Sequence, residues 1–211
     1  MALINMREVY PDVLLGLWQM DETVDELFCN YEDLQRYRTM LTEKYKSDER
    51  KREFLCVRVL LQEMLRTLGT KSTLTANWDI VHNAAGKPLL KGYHISISHT
   101  KGFAAVILSK NKEVAVDIEY FSDRVQRIAS KFMRKDEKAE NLDELLVHWC
   151  GKETVYKLFS ENNLQFSQIR VKPFDTMCDW ACEMENLKSG KTVRVEFELT
   201  MEYVLTYTCL E

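Results

Sequence analysis

Residues 114–119 read Val-Ala-Val-Asp-Ile-Glu, an apolar run that carries two carboxylates two residues apart. Side chains alternate along a strand, so Asp117 and Glu119 share one face while Val116 and Ile118 share the other. Such a segment favours burial. Two like charges side by side repel, however, and burying either without a partner is expensive. A divalent cation relieves both problems. About one helix further on stands Trp149-Cys150-Gly151-Lys152-Glu153-Thr154-Val155-Tyr156-Lys157, whose Glu153 is the candidate third oxygen ligand.

A chain of 211 residues accommodates one large domain or two small ones around a substantial core. Its formal net charge of -4 argues against general nucleic-acid binding. No apolar run is long enough to span a bilayer, and the first residues lack the pattern of a signal peptide. These features predict a soluble cytoplasmic protein with no membrane partner. Of the six cysteines, only Cys178 and Cys182 are close, without the paired spacing of a zinc site. Cys56 and Cys209 read as core, and no disulfide is expected in a reducing compartment.

Patterning predicts a strand at 13–18, helical segments at 23–45 and 49–68, and Gly69 as a helix stop. Short strands are expected near 78–82, 94–98 and 103–109, followed by a turn at Lys110-Asn111-Lys112. The order then repeats: a strand at 114–119, helices at 124–133 and 142–159, and strands at 168–172, 180–184, 193–199 and 203–209. The expected fold class is α+β, with two similar halves, 1–110 and 111–211, related by a pseudo-twofold. A cleft between such halves is where a ligand usually binds.

Individual candidates carry two readings each. Trp149, Glu153 and Lys157 lie at i, i+4 and i+8 on one helical stripe. That is an exposed ion pair worth about 0.2–0.5 kcal/mol, or a cleft-facing stripe marked by its aromatic. In Ser96-Ile97-Ser98-His99-Thr100, His99 either donates to a phosphate or caps the turn locally. In Asn83-Ala84-Ala85-Gly86-Lys87-Pro88, Lys87 offers a cation on a turn that is common in itself.

Taken together, Gly86-Lys87-Pro88, Ser98-His99-Thr100, Asp117-Ile118-Glu119, and Trp149 with Lys152-Glu153 and Lys157 resemble, in order and spacing, the surfactin-type 4'-phosphopantetheinyl transferases. The likeness is strongest over residues 83–160. It implies transfer of phosphopantetheine from coenzyme A to a serine of an acyl or peptidyl carrier protein, with adenosine 3',5'-bisphosphate leaving. It also implies Mg²⁺ held by Asp117, Glu119 and Glu153, with Glu153 as base, and Lys157 and Lys152 stabilising the leaving phosphate. Coenzyme A would be contacted by Gly86, Lys87, Pro88, Ser98, His99 and, on a weaker match, Arg52. Arg36 and Arg38 are candidates for its 3'-phosphate, or a solvated face.

Four positions depart from that family's pattern: Ala115 for glycine, Thr154 for a small residue, Ser96 for asparagine, and 159–163 for a glycine-rich turn. None removes a proposed metal ligand. Arg124, Arg127, Lys131, Arg134, Lys135 and Lys138 recur at helical spacing, either as a solvated face or as a dock for an acidic carrier protein. A chain with both halves forms the cleft alone, so a monomer is expected. The rival functions are another Mg²⁺-dependent phosphoryl-transfer or pyrophosphate-hydrolysing enzyme, and a non-catalytic module that binds coenzyme A or carrier proteins.

Overall fold

The computed structural model describes residues 3–69 and 79–210. The fold is mixed α+β and is built from two sheets. The first contains β1 (Leu3–Tyr10), β2 (Val13–Gln19), β5 (His94–Thr100) and β6 (Phe103–Ser109), in the order β1-β2-β6-β5. The second contains β7 (Glu113–Tyr120), β8 (Ile169–Val171), β9 (Ala181–Asn186), β10 (Lys191–Leu199) and β11 (Tyr203–Leu210), in the order β7-β11-β10-β9-β8. A small hairpin pairs β3 (Val81–His82) with β4 (Pro88–Leu89). In each half, the strand that precedes the helices pairs antiparallel with the last strand of that half: β2 with β6, and β7 with β11.

Alternation along these four strands creates the layers. Val13, Leu15, Leu17, Ala105 and Ile107 of one sheet pack against Val114, Val116, Ile118 and Leu205 of the other. The opposite face of the first sheet, with Leu14, Trp18, Val106 and Leu108, is covered by helix α3 (Asp48–Thr67). Ser47 caps α3, its hydroxyl accepting from the Arg50 N–H. Helix α5 (Leu142–Leu158) covers the second sheet, capped by Asn141 with Asp143 and Glu144 in its first turn. It approaches β9 so closely that a Cβ at Gly151 would collide with the side-chain end of Met184. A side chain at that position would force the buried Met184 to repack.

Two predicted helices prove discontinuous. The segment 23–45 divides into α1 (Val24–Asn30), a 3₁₀ stretch Glu32–Tyr37, and α2 (Arg38–Lys44), with Tyr31 extended between them. No glycine or proline marks that break. The segment 124–133 is a 3₁₀ stretch Asp123–Ile128 followed by the single turn of α4 (Ala129–Phe132). Strand β1 had no sequence signal and is a second correction. Trp78, placed in a predicted strand, lies outside the described residues. No described helix is long and apolar enough to cross a membrane.

Candidate active site

The edge strands β5 and β7 of the two sheets run side by side, joined by hydroxyl side chains instead of a backbone ladder. The Val116 N–H donates to Ser96 Oγ at 3.2 Å and the Tyr120 N–H to Thr100 Oγ1 at 3.0 Å. Between them, Ser98 Oγ donates to Asp117 Oδ1 at 2.7 Å. Period-2 alternation thus turns Ser96, Ser98 and Thr100 to the seam, and sends Ile97 and His99 into a cavity on the α3 side. Ser96 and Thr100 were not foreseen as seam residues, because a hydroxyl's target is set by the neighbouring strand.

Asp117 and Glu119 share the face toward α5, as alternation requires. Asp117 is buried, and its Oδ1 also accepts from Lys157 Nζ at 2.7 Å. Its Oδ2 is buried without a hydrogen-bond partner. Trp149 Nε1 donates to Glu119 Oε1 at 2.9 Å, and its ring packs on Phe132 and Phe166. Burial, then the charge of Asp117, raises Glu119 above the usual carboxylate range. Burial and the charges of Asp117 and Glu119 push Glu153 up to about 7, against the opposing pull of Lys157. The stripe predicted to bring Trp149, Glu153 and Lys157 to one side therefore faces the acids of β7.

Among the described residues, no three His, Cys, Asp or Glu side chains are arranged to hold one ion. The chemistry of the acids nevertheless fits a divalent cation. Asp117 has an orphaned buried oxygen, and burial together with the charge of Asp117 raises both Glu119 and Glu153.

The turn carrying Gly86 is built by Asn83, whose Oδ1 accepts from the Ala85 and Lys87 N–H groups. Gly86 has φ +80, a conformation that disfavours side chains there. Gly86, Lys87 and Pro88 line a pocket of about 170 Å³ with Ile97, Tyr156 and Lys157. Lys87 pairs with Glu113 at 2.8 Å, and His94 reaches the same carboxylate at 2.9 Å. Burial works to raise Glu113, but Lys87 and His94 hold it below the usual range. Nothing in the local pattern pointed to Glu113, since its partners are distant in the chain.

Three of the sequence candidates lie apart from the others or have partners of their own. Lys152 does not face the acids: it is fully buried, with Nζ 2.6 Å from Glu137 Oε2 and 2.7 Å from the Phe132 carbonyl. Burial lowers its pKa, against the pull of Glu137. Glu137 also accepts the N–H groups of Arg134 and Val171, so the pair ties α5 to the segment after α4 and to β8. Ser98 donates its hydroxyl proton to Asp117. Arg52 does not line the cavity that contains His99. Arg50 and Arg58 of the same helix do, because Arg52 lies on another side of α3.

That cavity, of about 570 Å³, is walled by Tyr37, Phe54, Arg58, His82 and Ile97 around His99. Arg58 stacks over the Phe54 ring, and burial lowers it to about 10. Arg36 pairs with Asp79, and Arg38 lies over the Phe28 ring. On the α5 side, Lys131, Glu153, Tyr156 and Phe166 line an open groove of about 540 Å³. The exposed cations Arg124, Arg127 and Lys131 lie on the broken segment preceding it, with Arg124 bonded to the Tyr120 hydroxyl. Arg134 is half-buried and held by Asp136.

The departures noted in the sequence have local explanations. Thr154 Oγ1 lies 2.6 Å from Thr206 Oγ1 beneath the site. Ala115 is buried under α5. Asn163, at φ +47, makes the turn after α5 without glycine.

Clustered acids, an anchored lysine and adjacent cation-lined pockets form an arrangement suited to handling phosphate groups. Residues 113–208 match the 4'-phosphopantetheinyl transferase superfamily, and residues 42–109 match the 4'-phosphopantetheinyl transferase N-terminal domain. The chain belongs to the 4'-phosphopantetheinyl transferase superfamily, and these domains support transfer of phosphopantetheine. No curated protein matches the chain significantly.

Proposed function

We propose that the chain is a surfactin-type enzyme that moves 4'-phosphopantetheine from coenzyme A to a serine of an acyl or peptidyl carrier protein. The observation that carries this reading is the gathering of Asp117, Glu119, Glu153 and Lys157 at the β5–β7 seam, with pockets lined by Lys87 and His99 opening on it. The carrier serine oxygen attacks the β-phosphorus of coenzyme A. A new P–O bond forms, the bond to the bridging oxygen breaks, and adenosine 3',5'-bisphosphate departs. Glu153 takes the serine proton. Lys157 faces the leaving phosphate, and His99 with Gly86, Lys87 and Pro88 holds the donor. Asp117, Glu119 and Glu153 would hold Mg²⁺, which neutralises pyrophosphate charge when bound. The exposed Arg124, Arg127 and Lys131 receive an acidic carrier protein. A cytoplasmic monomer completes the reading.

Intact-protein mass spectrometry of an apo carrier protein with this enzyme, coenzyme A and Mg²⁺ tests it. The expected result is a gain of one phosphopantetheine, lost with EDTA or Glu153→Gln. Adenosine bisphosphate released with no gain on any carrier would favour a hydrolytic enzyme. Coenzyme A binding that survives EDTA without turnover would favour a binding module.

A further inference from the structure

Glu53 of α3 projects into the same cavity as His99, and its side chain is only 13% exposed. Its Oε2 accepts from Arg50 Nη1 at 2.9 Å, while Oε1 stands 3.5 Å from His99 Nδ1. Glu53 and Arg50 form an i, i+3 pair along α3. The fold also brings Glu53 against a histidine on a strand 46 positions later.

We infer that Glu53 is a positioning residue for His99: it fixes the proton on Nδ1, turns Nε2 into the cavity, and allows the ring to take a second proton when a donor phosphate arrives there. The inference rests on the coenzyme A reading only for the identity of that phosphate. A carboxylate beside one ring nitrogen selects the tautomer with that nitrogen protonated and fixes the ring's orientation. An imidazolium between two anions makes charge-assisted contacts on both edges, about twice as strong as neutral ones. The charged and titratable groups around the ring and its cavity are Glu53, Arg50 and Arg58 from α3, Lys44 from α2, Asp79, His82 from β3, Lys157 from α5 and Asp117 from β7. Burial lowers His99, with Glu53 as the leading opposing influence, so the ring is neutral at pH 7 until a second anion is added. Donor binding then draws one proton from the buffer. Arg50 holds the carboxylate in place, so Glu53 does not need to leave when the phosphate enters.

The chain has four histidines, so ¹⁵N NMR of the labelled ring nitrogens is tractable, with His99→Gln identifying the signal. The wild-type protein should show His99 protonated at Nδ1, and Glu53→Gln should shift it toward the Nε2-protonated form. Calorimetry of coenzyme A binding near pH 7.5, in two buffers of different ionisation enthalpy, should show proton uptake that falls in Glu53→Gln. Affinity should drop about tenfold, the equivalent of one charge-assisted contact of about 1.4 kcal/mol. Turnover at saturating coenzyme A should change little, and the thermal melt should remain cooperative. An unchanged tautomer in Glu53→Gln, or coenzyme A binding as tight as wild type with undiminished uptake, overturns the inference. If wild-type protein does not bind coenzyme A, the functional reading fails, and the tautomer measurement still decides the role of Glu53.

Discussion

Lys157 Nζ stands 2.7 Å from Asp117 Oδ1, 3.1 Å from the Val116 carbonyl and 3.4 Å from the Ile97 carbonyl. One ammonium therefore touches β5, β7 and a buried acid at once. It compensates Asp117 and ties the edges of two sheets together where they share no backbone ladder. Lys157→Met should destabilise the metal-free protein by about 1–3 kcal/mol, since a buried acceptor loses a charged donor. Added Mg²⁺ should reduce that loss. Chemical denaturation with and without the ion measures both, and equal losses in the two conditions would remove the link between Lys157 and the acids proposed to bind the metal.

Asp117→Ala should lower carrier-protein modification by at least about 100-fold, the scale of losing one preorganised electrostatic contact. The far-ultraviolet circular dichroism spectrum should remain that of the wild type. Near wild-type turnover would refute the assignment of Asp117 to the metal.

Glu153 gives a signed pH dependence. Its folded-state pKa, about 7, lies above its ordinary value of 4.5. The folded protein therefore binds more protons than the unfolded chain between those values, and the stability contributed by Glu153 falls as pH rises through that window. In metal-free protein, Glu153→Gln should gain stability relative to wild type from pH 5 to pH 7.5. Urea unfolding of the pair at several pH values tests this, and a difference constant with pH would contradict it.

The buried Lys152–Glu137 pair predicts a structural defect. Glu137→Gln leaves the Lys152 charge without its partner and should cost about 3–5 kcal/mol. The thermal midpoint should fall by many degrees. A loss of turnover with unchanged stability would instead return Lys152 to a direct chemical role.

Charge reversal of Arg124, Arg127 and Lys131 to glutamate should raise KM for the carrier protein, with coenzyme A affinity nearly unchanged. All three are exposed, so the fold should tolerate the change. Steady-state kinetics with each substrate varied in turn would expose an equal loss of both, which would end the docking assignment.

Much of this molecule was legible from residue order. The period-2 alternation in 114–119 put Asp117 and Glu119 on one face because strand geometry leaves no other option. The stripe of Trp149, Glu153 and Lys157 followed from helical spacing in the same way. Helix α3 had a clear apolar side, and α5 and most of the strands fall within a few residues of their predicted ranges although α5 is buried nearly all round. The break at Tyr31 and the 3₁₀ turn before α4 had no glycine or proline to announce them. Strand β1 is only partly buried and depends on pairing with β2, so its sequence was silent.

The sequence alone determined which residue types are available for phosphate and metal chemistry, and which local face each occupies. Tertiary structure decided their partners. Lys152 and Glu153 are neighbours in the chain, yet one lies in a sealed ion pair and the other lines an open groove. Glu53, Glu113 and Glu137 acquire roles only through residues 15 to 46 positions away. A side chain's local geometry is set by its own backbone, whereas its charge state and contacts depend on the groups that folding brings to it.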